Sequence, residues 1–161
     1  MGKIRTTVIG SLQRPDWLLA AQKDPEFPPD LLRELSNIAI RRVIRDQVDI
    51  GLDEISNGEL TRRGYVHYVQ KRLKGFSDKE FVSLPVPTEL PVEMPPIEPS
   101  LFRFPKLVSK PEYIGEEDAL KEYNFSKEVL KEVEKERGAP LDVTIKVPAA
   151  SPGGISVLLS G

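Results

Sequence analysis

The run Gly51–Arg63, GLDEISNGELTRR, constrains this chain more than any other stretch. A helix-like segment, Asp30 to Ile50, leads into it and stops at Gly51. Leu52 to Ser56 then reads as a short strand, Asn57-Gly58-Glu59 as a tight loop, and a new helical pattern begins at about Leu60. A buried strand ending in a loop with a glycine and a carboxylate is how α/β enzymes present charge to a small polar ligand. Two roles stay open for Glu59. Ser56 and Glu59 have the S-x-x-E spacing of a capping box, and Glu59 is equally a strand-end carboxylate aimed at a substrate amine. Asp53 and Glu54 form no metal cluster with it, because alternate strand positions face opposite ways.

The rest of the chain falls around that loop. Thr6 to Ile9 is β-branched and apolar and is closed by Gly10-Ser11, which reads as a buried first strand and its exit loop. Gly10 permits close backbone approach, and Ser11 offers a hydroxyl and an N–H. A plain tight turn explains the same residues. Asp16 to Ala21 predicts a short helix around Trp17, and Asp30 N-caps the long one. In the long helix Leu31, Leu35, Ala39 and Val43 form one apolar row, and Ile40, Ile44 and Val48 the next. Arg41, Arg42 and Arg45 read as a solvated face paired with nearby Asp46 and Asp49.

After the central loop, Tyr65, Tyr68, Val69 and Leu73 mark the core side of a helix that Gly75 ends. His67, the only histidine, has no catalytic arrangement around it in sequence and receives no role. Seven prolines between Pro85 and Pro105 exclude helix and central strand, so residues 81–105 read as an extended excursion or loose edge hairpin. Lys106 to Ser109 is then a third strand. A helix opens at Gly115-Glu116-Glu117, with Ala119, Tyr123, Ser126, Leu130, Val133 and Arg137 spaced along it and Gly138 as its cap. Asp142 to Val147 is a fourth strand, followed by the small-residue loop Pro148 to Gly154.

Strand and helix alternate, which predicts a parallel sheet with crossover helices and every ligand-like loop at one end. That is the layout of a TIM barrel's active face, but a full barrel needs eight strands and roughly 250 residues. The chain has 161. The expectation is therefore one α/β domain over 1–161, about half of a TIM barrel, with four strands and a Pro-rich insertion at 81–105. Such an open half-barrel exposes two strand edges and an apolar inner face, which predicts self-association or a second chain. The ending at Gly161, just past a strand-end loop, reads as a truncated or split domain. Cysteine is absent, which excludes disulfides, thiolate catalysis and Cys-ligated zinc within the chain. With 23 basic and 25 acidic residues nothing marks a nucleic-acid surface, and no apolar run approaches a membrane span. The first residues, MGKIRTTVIGSL, carry no signal-peptide h-region, so a cytoplasmic protein is expected.

TTVIGSLQRP followed by RDQVDIGLDEISNGELTRR resembles the catalytic barrel of cobalamin-independent methionine synthases and their shorter bacterial and archaeal relatives. The resemblance runs over the whole chain and is most specific before about Gly75. It implies that Ile9, Gly10 and Ser11 hold the amino-acid part of homocysteine, with Ser11 facing its carboxylate, and that Glu59 pairs with its ammonium group. It implies a methyl transfer from a folate-type donor to the thiol, activated in the complete enzyme by zinc on His, Cys and Glu ligands. Those ligands lie in the later half of the family's barrel, so the resemblance implies no metal or catalytic residue and no cofactor within this chain. The expected function is the N-terminal portion of a methionine-synthase-like methyltransferase, inactive alone. The alternative is a non-catalytic half-barrel remnant that keeps an amino-acid-binding or interaction role.

Overall fold

The computed structural model describes residues 4–62, 65–83 and 103–159. In chain order the elements are α1 (Asp16–Lys23), α2 (Pro29–Asp49), β1 (Glu54–Ile55), α3 (Tyr65–Gln70), β2 (Leu73–Ser83), β3 (Arg103–Tyr113), α4 (Glu116–Arg137), β4 (Thr144–Ile145) and α5 (Pro152–Leu159). The chain divides into two compact units, one of residues 1–61 and 117–148, the other of residues 62–116 and 149–161.

The first unit holds a parallel sheet backed by helices. β1 lies between Thr7, which it meets in a parallel bridge, and β4, which it pairs in parallel with Glu54 opposite Thr144 and Ile55 opposite Ile145. Its core joins Leu18 of α1, Ala39, Ile40, Ile44 and Val48 of α2, Ile55 of β1, Leu60, and Val129 and Val133 of α4. Val143 and Ile145 pack against the same cluster, so α2 and α4 share one face of the sheet. Both helices end as the sequence predicts. After α2 the N–H groups of Gly51 and Leu52 reach the carbonyls of Val48 and Gln47, and after α4 those of Gly138 and Ala139 reach Lys135 and Glu134. Each is the paired-bond stop that a left-handed residue allows. Asp30 does not cap α2 as expected: the helix starts at Pro29, where proline's missing N–H is no loss in a first turn, Pro28 holds the cap position without a side-chain bond, and Asp30 pairs with Arg33 (3.0 Å).

Three expectations change in this unit. Thr6 to Ile9 is not a buried strand, since Thr7 makes the one bridge and Ile9 is 89% exposed. The sheet face away from the helices is polar, not apolar. Arg5 donates to Thr144 Oγ1 (3.1 Å) and sits 3.6 Å from Glu54, while Lys146 Nζ donates to Thr7 Oγ1 (2.7 Å) and the Val8 carbonyl (2.7 Å). The apolar positions of these short strands all alternate onto the helix side. Finally, the arginines of α2 do not pair only locally. Arg42 meets Asp46 at 3.8 Å, but Arg41 meets Glu132 (3.3 Å) and Arg45 meets Glu136 (2.6 Å), and Asp49 accepts from Arg137, all on α4.

In the second unit β2 and β3 form a two-stranded antiparallel sheet, from Leu73 opposite Tyr113 to Ser83 opposite Arg103, with register shifts between Lys74 and Phe81. Phe104 is its buried centre, packed by Phe76, Leu107 and Ile155. Lys106–Ser109, expected as a parallel strand, is the middle of β3, and the helix expected to run to Gly75 stops at Gln70. Both strands of a two-stranded ribbon are edge strands, where proline is tolerated, and Pro105 and Pro111 both lie in β3. The arms thus extend well beyond the predicted 81–105 excursion, whose residues 84–102 lie outside the described part.

Candidate functional site

The site grows from the end of β1. The next residue, Ser56, has no strand neighbour for its backbone among the described residues. Gln47, buried on α2, takes that place: its Oε1 accepts the Ser56 N–H (3.1 Å) and its Nε2 donates to the Ser56 carbonyl (2.7 Å). The primary amide of glutamine has one acceptor and two donors, enough to mimic a paired strand. Ser56 Oγ accepts the Gly58 N–H (3.2 Å), and Asn57 Oδ1 accepts the Glu59 N–H (3.0 Å). Glu59 has φ 55°, a left-handed conformation that costs a non-glycine residue about 1–2 kcal/mol.

Three side-chain donors fix the outgoing chain. Arg14 donates through Nη2 to the Glu59 carbonyl (3.0 Å) and through Nε to that of Leu60 (3.3 Å). Gln22 of α1 donates to the same Leu60 carbonyl at 2.8 Å. On the other side, the Leu12 N–H reaches the Gly58 carbonyl (3.0 Å) and draws the Gly10-Ser11 turn against the loop.

The capping-box role is therefore not realised. The Ser56 N–H is taken by Gln47, and the Glu59 side chain turns instead toward Ser11, whose hydroxyl donates to Oε2 at 3.0 Å. Glu59 is 1% exposed, and its second oxygen, Oε1, is buried without a hydrogen-bond partner among the described residues. A buried carboxylate satisfied on one oxygen alone is an unfavourable state that a cationic ligand relieves. Of the four residues singled out in sequence, the structure brings Ser11 and Glu59 into contact and bends the chain just before Ser11, at Gly10 (φ 88°). The Ile9 side chain is exposed.

Sequence reasoning missed Gln47, Arg14 and Gln22 as builders of the loop, and it read Asn57 into the loop without giving it a bond. Only Asn57 carried a signal, as an asparagine before glycine in a strand-end turn. Among the described residues no three His, Cys, Asp or Glu side chains gather to hold a metal. No helix among them is long and apolar enough to cross a membrane.

No protein-family model matches the chain. Curated methionine synthases do resemble it. That of Saccharolobus islandicus strain L.S.2.15 is 36% identical over 74 residues, covering 44% of this chain and 22% of the relative. The methionine synthase of Saccharolobus solfataricus strain P2 is 33% identical over 127 residues, covering 77% of this chain and 34% of the relative. The chain is thus similar to part of the methionine synthases. Sulfolobus acidocaldarius has another, 36% identical over 74 residues. Among solved structures, the B12-independent methionine synthase of Shewanella sp. W3-18-1, in complex with selenomethionine, superposes with a TM-score of 0.58 at 22% identity. That match covers 93% of this chain and 38% of the Shewanella chain, and it shows that the mixed α/β fold with its parallel sheet is that of a methionine synthase. The present chain spans 22% to 34% of the length of the curated relatives it matches.

Proposed function

We propose that the Ser11–Glu59 site binds the amino-acid end of a thiol amino acid such as homocysteine, as one part of a methionine-synthase-like methyltransferase. The observation that carries this reading is the buried Glu59 carboxylate, held by Ser11 on Oε2 and open on Oε1. An ammonium group fits the open oxygen, and the N–H groups of the Gly10-Ser11 turn suit the neighbouring carboxylate. The selenomethionine bound by the Shewanella relative is a ligand of the same zwitterionic class. In this reading the parallel sheet is about half of a TIM barrel, completed by a second chain or by self-association, and a folate-type donor supplies the methyl group.

The described residues offer no donor set that fits zinc. There is no cysteine, one histidine, and no cluster of three ligating side chains among the described residues. Thiol activation by zinc would draw its ligands from outside the chain, so the chain's own part is binding and orienting the amino acid. The polar face of the sheet, with Arg5, Glu54 and Lys146, means that a partner completing the barrel meets charge and hydroxyls there.

The test is calorimetric titration of the 161-residue chain with L-homocysteine and L-methionine. Glu59→Gln should weaken binding about tenfold to a hundredfold, the worth of a charge-assisted hydrogen bond. Equal affinity of wild type and Glu59→Gln would remove the basis of the reading.

A further inference from the structure

We infer that Glu122, on α4, is a positioning residue for Glu59 and acts through Asn57; the inference rests on the reading of Glu59 as the anion that meets the ligand. The left-handed backbone of Glu59 is held by one local bond to its N–H, from which Asn57 Oδ1 accepts at 3.0 Å. That bond exists only while the Asn57 amide presents its oxygen to Glu59. The choice is made on the amide's other end, where Nδ2 donates to Glu122 Oε1 at 2.6 Å. Turned over, the amide would set its oxygen against the Glu122 carboxylate and its NH2 against the Glu59 N–H, two repulsive contacts in place of two bonds.

Asn57 is buried at 4% exposure, so water does not supply an alternative partner cheaply. Glu122 is itself fixed, because α4 is anchored in the core by Val129 and Val133 and the Glu122 carbonyl accepts from Ser126 Oγ (3.0 Å). The carboxylate on α4 thus selects one amide orientation, which pins the strained residue, which aims its carboxylate at Ser11.

The experiment swaps the pair while conserving charge. Asn57→Asp keeps the acceptor for Glu59 but opposes two carboxylates; adding Glu122→Gln restores a donor between the two side chains. Affinity for L-methionine by calorimetry, and exchange of the Glu59 amide hydrogen by NMR without ligand, are read on wild type, Asn57→Asp, the double variant and Glu59→Gln. The expectation is about a tenfold loss of affinity and about tenfold faster exchange in Asn57→Asp, with both returning to within about twofold of wild type in the double variant. Asn57→Asp exchanging and binding like wild type, or a double variant no better than the single, overturns the positioning role. Wild-type affinity in Glu59→Gln overturns the ligand-binding reading instead, and the exchange rates still decide whether Glu122 orients the loop.

Discussion

Replacing Gly58 by alanine should be among the most damaging single-methyl changes in the chain, and its cost can be worked from the structure. Gly58 has φ 66°, which charges an alanine about 1–2 kcal/mol for entering the left-handed region. The added Cβ would also meet Leu12 Cβ at 3.1 Å, Leu12 Cδ1 at 3.2 Å and Val43 Cγ1 at 3.2 Å. Neither neighbour gives way easily. Val43 stands on α2 in the middle of the helix, and the Leu12 backbone is tied to the Gly58 carbonyl by the very hydrogen bond a shift would stretch. Overpacking of this kind adds about 1–3 kcal/mol, for a total of about 2–4 kcal/mol. Gly51→Ala is the matched control: its φ is 79°, but nothing lies within 4 Å of the added carbon, so it carries the backbone term alone. Urea denaturation followed by circular dichroism should place Gly58→Ala at least about 1 kcal/mol below Gly51→Ala. Equal stability of the two variants would refute the packing argument. A Gly58→Ala protein should also bind amino acids more weakly, because Leu12 carries Ser11 with it.

Gln47→Leu keeps the side-chain volume but strips the Ser56 N–H and carbonyl of their partner, and should cost about 2–4 kcal/mol by the same denaturation assay. A loss below about 0.5 kcal/mol would mean that Ser56 finds other partners at little expense. Arg45→Met, by contrast, should cost less than about 1 kcal/mol, and the loss should shrink in high salt, since the Arg45–Glu136 pair is half exposed on both sides and Arg45 Nε is buried without a partner among the described residues. A large, salt-insensitive loss would show that the α2–α4 ion pairs carry more of the unit's stability than surface pairs do.

Features that depend on neighbours along the chain were legible before any coordinates. The apolar rows of α2, its stop at Gly51, the stop of α4 at Gly138 and the strand entering Asn57-Gly58-Glu59 are each written within a few residues of themselves. The resemblance set Ser11 and Glu59 at one ligand, but their direct hydrogen bond was not legible, because the two residues lie 48 positions apart. Local spacing even offered Glu59 a second role, as a capping-box acid, and only the Gln47 amide on the Ser56 N–H closed it. The same limit explains the misread β3. KLVS has the composition of a buried parallel strand, and the choice of an antiparallel partner in Leu73–Ser83 is a pairing energy that no single window contains.

The sequence by itself therefore determined the long helices and their glycine stops, the α/β character and the identities of the groups offered to a ligand, because propensity, capping and periodicity act over one or two turns of chain. Tertiary structure alone decided which strands pair, which sheet face is polar, which arginines reach across to α4, and that the Glu59 carboxylate is buried with one oxygen held and one open. Those outcomes depend on groups that meet only when distant segments pack, where desolvation makes each unmade hydrogen bond costly enough to select one arrangement.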